Sequence, residues 1–128
     1  MKGYIANIEK ETNENKNFRK VLFTAPHSQL VVMTIVPGGE IGLERHEGRD
    51  QFIRIEAGVG VAILDGERHP LSDGTALVIP AGTQHNVINL STTDELRLYT
   101  VYSPAEHPAG TIHRTKAEAD AAELVHHH

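Results

Sequence analysis

Glu44, His46, Gln51 and His85 are metal-ligating side-chain types set in two patterns of glycine and proline. The first pattern runs Gly38, five residues, Glu44, one residue, His46, four residues, Gln51, six residues, Gly58. The second runs Gly74, five residues, Pro80-Ala81-Gly82, two residues, His85, three residues, Asn89. Glu44 and His46 are two apart, so on a strand both side chains leave the same face. His46-Glu47-Gly48-Arg49-Asp50 reads as a polar turn. Gln51 then opens a returning strand and can face the same interior. The set offers two imidazole nitrogens, one anionic oxygen and one neutral oxygen. Mixed donors of this kind suit Mn, Fe, Ni, Co or Zn without selecting among them. The bland alternative is that the glycines and Pro80 only make turns and the two histidines line a pocket without metal.

The elements that must position these residues read as short strands. Eleven Gly and six Pro punctuate a chain of 128 residues whose intervening segments are rich in Val, Ile, Leu and Thr. That length fits one domain, taken here as residues 1–125. His126, His127 and His128 resemble an expression tag. Strands are expected over 3–8 and 18–23, around a polar loop from Thr12 to Asn17. Gln29 to Val36 is apolar enough to be buried on both faces or to lie beneath a partner subunit. In Gln51 to Ala57, Gln51, Ile53 and Ile55 share one face, and Phe52, Arg54 and Glu56 the other. Asp65-Gly66 is the strongest hairpin signal, because a two-residue turn needs positive φ values. Further strands are expected over Ala76 to Ile79, Gln84 to Leu90 and Glu95 to Ser103. Thr115-Lys116-Ala117-Glu118 fits a capping box opening one C-terminal helix. The fold class is therefore all-β, a sandwich or barrel with a short terminal helix.

Both patterns together resemble the cupin family in every spacing, over Gly38 to Asn89 by motif and about 20 to 103 by strand pattern. The resemblance is to small single-domain cupins of the mannose-6-phosphate isomerase-like kind. It implies a double-stranded β-helix, or jelly-roll barrel, that gathers Glu44, His46, Gln51 and His85 around one divalent transition metal. The chain departs from the usual His-x-His and Glu, having Glu44-x-His46 and Gln51. The charge on the ligand set is nevertheless the same, and Glu44 is the candidate catalytic base. The implied activity is a metal-dependent reaction on a small polar molecule, isomerase-type slightly ahead of dioxygenase. The alternative is a non-catalytic module that binds a metal or small ligand. The resemblance also implies a homodimer, with Leu30 to Val36 and the N-terminal strands as candidate contacts.

Composition excludes other classes. A formal charge of -5 with no basic stripe argues against nucleic acid. No run of 18 apolar residues offers a membrane span. With no cysteine, disulfides are excluded, which fits a reducing cytoplasm. His27, His69, His107 and His113 read as surface or loop residues, and Ser103 to Pro108 as an ordinary Pro-stiffened loop. At most one of Tyr99 and Tyr102 faces the interior, and Arg97 is either an anion ligand or a paired surface residue. Glu47 and Asp50 read as turn residues and Asn89 as structural.

Overall fold

The computed structural model describes residues 2–126. Nine strands follow in chain order: β1 (Arg19–Thr24), β2 (Gln29–Ile35), β3 (Asp50–Ala57), β4 (Gly60–Leu64), β5 (Glu67–Leu71), β6 (Ala76–Ile79), β7 (His85–Asn89), β8 (Leu96–Ser103) and β9 (Ile112–His113). A helix precedes them, α1 (Ile8–Glu14), and another follows, α2 (Lys116–His126). The strands form a six-stranded sheet in the order β6-β3-β8-β2-β1-β9 and a three-stranded sheet in the order β5-β4-β7. Every pairing is antiparallel. This is the all-β barrel with a C-terminal helix expected from the strand pattern. Among the described residues, no helix is long and apolar enough to cross a membrane.

The alternation in β3 settles which face is inside. Gln51, Ile53 and Ile55 are buried, while Phe52, Arg54 and Glu56 between them are only partly so. Val31, Met33 and Ile35 of the large sheet meet Ala62, Leu71 and Val87 of the small one in a single aliphatic core. The hairpin between β4 and β5 turns at Asp65 and Gly66, whose φ values of 47° and 84° suit the type I′ geometry that matches strand twist.

The N-terminus departs from expectation. Residues 3–8 do not form a strand, and Thr12 to Asn17 is not simply a loop. Asn7 caps a helix instead, its Oδ1 accepting from Lys10 N at 3.1 Å. Seven residues are too few for a helix stable in isolation, and the barrel supplies the rest. Thr12 is fully buried. Asn15 and Thr34 exchange hydrogen bonds, Asn15 Nδ2 to Thr34 Oγ1 at 3.1 Å and Thr34 Oγ1 to Asn15 O at 2.8 Å. Arg97 donates to the carbonyls of Asn13 and Asn15, satisfying groups that a helix C-terminus leaves open. α1 thereby lies against β2, β3 and β8. β2 is thus buried on both faces within one chain, and no partner subunit is needed to account for it.

At the other end, Thr115 Oγ1 accepts from Glu118 N at 3.1 Å and opens α2 as its sequence indicated. Ala119 packs into the core. Of the three terminal histidines, His126 ends α2; His127 and His128 lie outside the described residues.

Asn89 is structural. Its Nδ2 donates to the carbonyls of Ile35, Val36 and Asp94 at 2.9 to 3.1 Å, and its Oδ1 accepts from Ser91 N at 2.9 Å. Asn89→Ala removes all four of these hydrogen bonds at a buried position, with the Val36 carbonyl keeping a second donor, Gly39 N. We expect it to lower the unfolding free energy by about 2–3 kcal/mol, read from urea denaturation.

Candidate metal centre

The centre is assembled by backbone pairing. Residues 39–44 run antiparallel along β7. Asn89 N donates to Gly39 O, Ile41 N to Val87 O, and Glu44 and His85 exchange both backbone hydrogen bonds at 2.8 Å. Asn86 Oδ1 adds a bond from Gly42 N at 2.9 Å. Residues paired in this way present their side chains on one face, so Glu44 and His85 must meet. His46, two residues on, returns to that face, and Gly82 N donates to His46 O at 3.0 Å. Asp50 Oδ1 accepts from Ala81 N, tying the two motif turns together. Gln51 enters from the large sheet. It lies in a buried row across four strands, Gln29, Tyr102, Gln51 and Ile79.

The donor atoms converge. Glu44 Oε2 lies 2.8 Å from His46 Nε2 and 3.8 Å from His85 Nε2. One donor from each of the three residues falls within 4.8 Å of the others. That spread is compatible with a shared ion, because ligands ~2.0–2.2 Å from one metal stand ~3–4 Å apart. His85 Nδ1 lies 2.9 Å from Thr83 O. A carbonyl only accepts, so the ring hydrogen is on Nδ1 and the lone pair on Nε2. His46 Nδ1 faces Glu106 Oε2 at 3.3 Å in the same way. Gln51 Nε2 donates to Thr100 Oγ1 at 3.0 Å, which commits the amide nitrogen.

Besides Glu106 Oε2 and His107 Nε2 at the mouth, three buried atoms at the centre itself are left without a hydrogen-bond partner: His46 Nε2, His85 Nε2 and Gln51 Oε1. His46 Nε2 is close to Glu44 but not aligned with it for a hydrogen bond. Buried polar atoms are normally paired, and these orphans are the atoms that would ligate. The residues therefore fit a divalent metal. The structure brings Glu44, His46 and His85 together as a group able to hold an ion, and Gln51 contributes an unpartnered amide oxygen on the interior face.

Sequence reading passed over the rest of the mouth. The segment after β8 is more than a stiff loop. Gln29 Oε1 accepts from Glu106 N and His107 N at 3.2 and 3.0 Å, and Gln29 Nε2 donates to His107 O at 2.7 Å. This clamp sets Glu106 against His46, with Arg49 Nε 3.1 Å from the same carboxylate oxygen. Tyr102 is the tyrosine that faces inward, its ring edge-on to His46 and His107 at 5.8 and 5.3 Å. Tyr99 packs with Phe52 on the opposite face. Arg97 serves α1 and Glu95, away from the centre. Arg54 pairs with Glu56. His27 and His69 are exposed as expected, but His107 and His113 are half-buried. A Glu-His pair between Pro104 and Pro108, immediately after the last long strand, was the available signal for the mouth segment.

Electrostatics follow from this packing. Burial opposes charge on the His46 ring, but the carboxylates of Glu106 and Glu44 outweigh it and raise its pKa to about 9. Burial likewise opposes charge on Glu106, yet His46 and Arg49 hold its carboxyl below the usual range. His107 is pushed down to about 3 by burial and then by Arg19, so its ring is neutral. Burial raises the Tyr102 hydroxyl well above its ordinary value. A polar pocket of about 360 Å³ opens over Glu44, His46, Arg49, Glu106 and His107.

Residues 31–102 match the cupin domain family. The chain belongs to the cupin family. It is 47% identical over 112 residues to protein L612 of Acanthamoeba polyphaga mimivirus, covering 85% of this chain and 70% of that protein. The crystal structure of BH2720 from Bacillus halodurans superposes with a TM-score of 0.91 at 42% identity, covering 94% of this chain and 95% of that one. The oxalate-binding protein of Thermotoga maritima is 32% identical over 62 residues, covering 48% of this cupin and 51% of that protein.

Two outcomes are expected of this cupin's mouth. In tag-free, chelator-treated protein, His46 titrates higher when folded (about 9) than when unfolded (6.5). Its contribution to stability is complete below the unfolded value and is lost as pH rises through the folded one. Melting temperatures should therefore fall between pH 6.5 and 9, and this slope should be missing in His46→Asn. Secondly, Glu106→Ala releases the His46 ring and should weaken metal affinity about 10- to 100-fold, measured by competition with a chelating dye.

Proposed function

We propose that this cupin is a metal-dependent enzyme acting on a small polar molecule. In this reading Glu44, His46 and His85 hold one divalent transition metal, with Gln51 as the fourth ligand. The observation that carries it is the set of unpartnered ligating atoms, His46 Nε2, His85 Nε2 and Gln51 Oε1, gathered with the Glu44 carboxylate. A metal held there would polarise a carbonyl or carboxylate oxygen as a Lewis acid.

The chain's own residues have separable tasks. Thr83 O and Glu106 fix the His85 and His46 rings through Nδ1. Tyr102 and the neutral His107 ring wall the centre from water. Glu44 is more exposed than either histidine, at 27% of its side chain, and once it leaves the ion to His46, His85 and Gln51 it is the residue placed to accept a substrate proton. That task favours isomerisation or enolisation of a carbonyl compound over dioxygenation. The name of the Thermotoga maritima relative supports a small-ligand site on this barrel. The proposal includes a homodimer: β6 is a sheet edge, and Val78 on it is 66% exposed. Sedimentation at the mass of one chain would remove that part.

Metal content by mass spectrometry on tag-free protein tests the reading. About one equivalent of Mn, Fe, Co, Ni or Zn is expected in the parent, with loss in both His46→Ala and His85→Ala. A parent that stays metal-free after incubation with each ion sinks it. If metal is present, oxygen uptake with a carbonyl substrate would replace isomerase by dioxygenase. Tight ligand binding without turnover would leave a binding module.

A further inference from the structure

Arg19 is a buried cation that forms no ion pair with a carboxylate among the described residues. It lies on β1 between Met33 of β2 and His113 of β9, and like Val21 two residues on it points inward. Only 5% of the residue is exposed. Its polar side-chain contact is Nη1 to His113 Nδ1 at 3.4 Å, and its guanidinium stands 5.3 Å from the Phe18 ring centre. Nε is buried with no hydrogen-bond partner. Among the described residues, no carboxylate forms an ion pair with it. Among the described residues, three inward-facing charges at the mouth have counter-charges: Glu44 and Glu106 have His46, and Arg49 has Glu106. A buried guanidinium left unpaired is costly, and chains keep such groups where a ligand completes them.

Its position says which ligand. Arg19 and Glu44 line one pocket of about 230 Å³, walled by Phe18, Ile41 and Ala119, with Glu123 also on its lining. This pocket meets the one above the metal centre at Leu43, Glu44 and Glu123. Lys116 holds Asp120 on the pocket's outer rim at 2.9 Å. Once a divalent ion neutralises Glu44, the guanidinium is a positive charge on the pocket lining with no carboxylate ion-paired to it among the described residues. Guanidinium prefers carboxylate, whose two oxygens match its fork of N–H donors. The volume is below the range typical of drug-sized ligands, so the molecule is a small one.

We propose that Arg19 is the anchor for a carboxylate group of the ligand, and that the molecule taken at the metal centre is a small organic acid. The acid spans the two pockets, one end on the Arg19 guanidinium and an oxygen towards Glu44, His46 and His85. This rests on the metal-centre reading for the second contact, while the Arg19 contact stands on the unpaired charge alone.

The test is calorimetric titration of metal-loaded, tag-free protein with oxalate, glyoxylate, lactate and malonate. Oxamide, the uncharged diamide of oxalate, serves as control. At least one acid should bind ten times or more tighter than oxamide. Arg19→Gln should abolish that preference while metal content stays at that of the parent. Arg19→Met, which removes the unpaired charge and keeps an apolar stem, should melt no lower than the parent while losing acid affinity; a purely structural arginine would melt lower. If Arg19→Met does not fold, Arg19→Gln at equal metal content decides: loss of the acid preference supports the anchor, and an acid preference equal to the parent's overturns it. Acids that bind the parent no better than oxamide, or as well to Arg19→Gln as to the parent, also overturn it. A metal-free parent that still binds an acid through Arg19 would sink the metal reading and leave this one standing. A metal-loaded parent indifferent to acids would do the reverse.

Discussion

The centre depends on one antiparallel contact, the paired backbone bonds between Glu44 and His85. These residues are 41 apart in the sequence by number and come from different halves of the barrel. Once the two peptides exchange hydrogen bonds, sheet geometry dictates that both side chains emerge on one face. His46 follows by the two-residue repeat of an extended chain. A single slip in this register would carry Glu44 to the opposite face and dismantle the donor set. The register is pinned by bonds on either side of the pair: Gly42 N to Asn86 Oδ1, Ile41 N to Val87 O, and Gly82 N to His46 O.

Around that contact the barrel places charge where water is scarce. His46 sits between Glu44 and Glu106, so without a metal a ring proton takes the place a cation would fill. A metal taken up there would exchange one positive species for another, so proton and metal would compete at this ring. Glu106 reaches His46 because Gln29 holds the peptides of Glu106 and His107 to the end of β2. The same row of the sheet carries Gln29, Tyr102 and Gln51. One side therefore clamps the mouth segment and the other offers an amide oxygen to the centre. Arg19 belongs to another row of the same inner face, beside Met33 and Leu98, and brings the remaining positive charge inside.

Local pattern alone determined much of this protein. Alternation in Gln51 to Ala57, the Asp65-Gly66 turn and the spacing of both motifs identify an all-β barrel and name Glu44, His46, Gln51 and His85 as its metal-ligating types. These signals are legible because strand period and turn chemistry are properties of neighbouring residues. Tertiary structure decided the remainder. Residues 3–8 read as a strand because Tyr4, Ile5 and Ile8 favour one; the helix at Ile8–Glu14 exists because Thr34 and Arg97, far along the chain, pair with its C-cap Asn15 and its open carbonyls. Glu106 and Arg19 look like ordinary surface charges in sequence. Only the closing of the barrel gives one a histidine to orient and leaves the other buried without an ion-paired carboxylate among the described residues, because charge pairing and burial depend on residues that meet through folding and not along the chain.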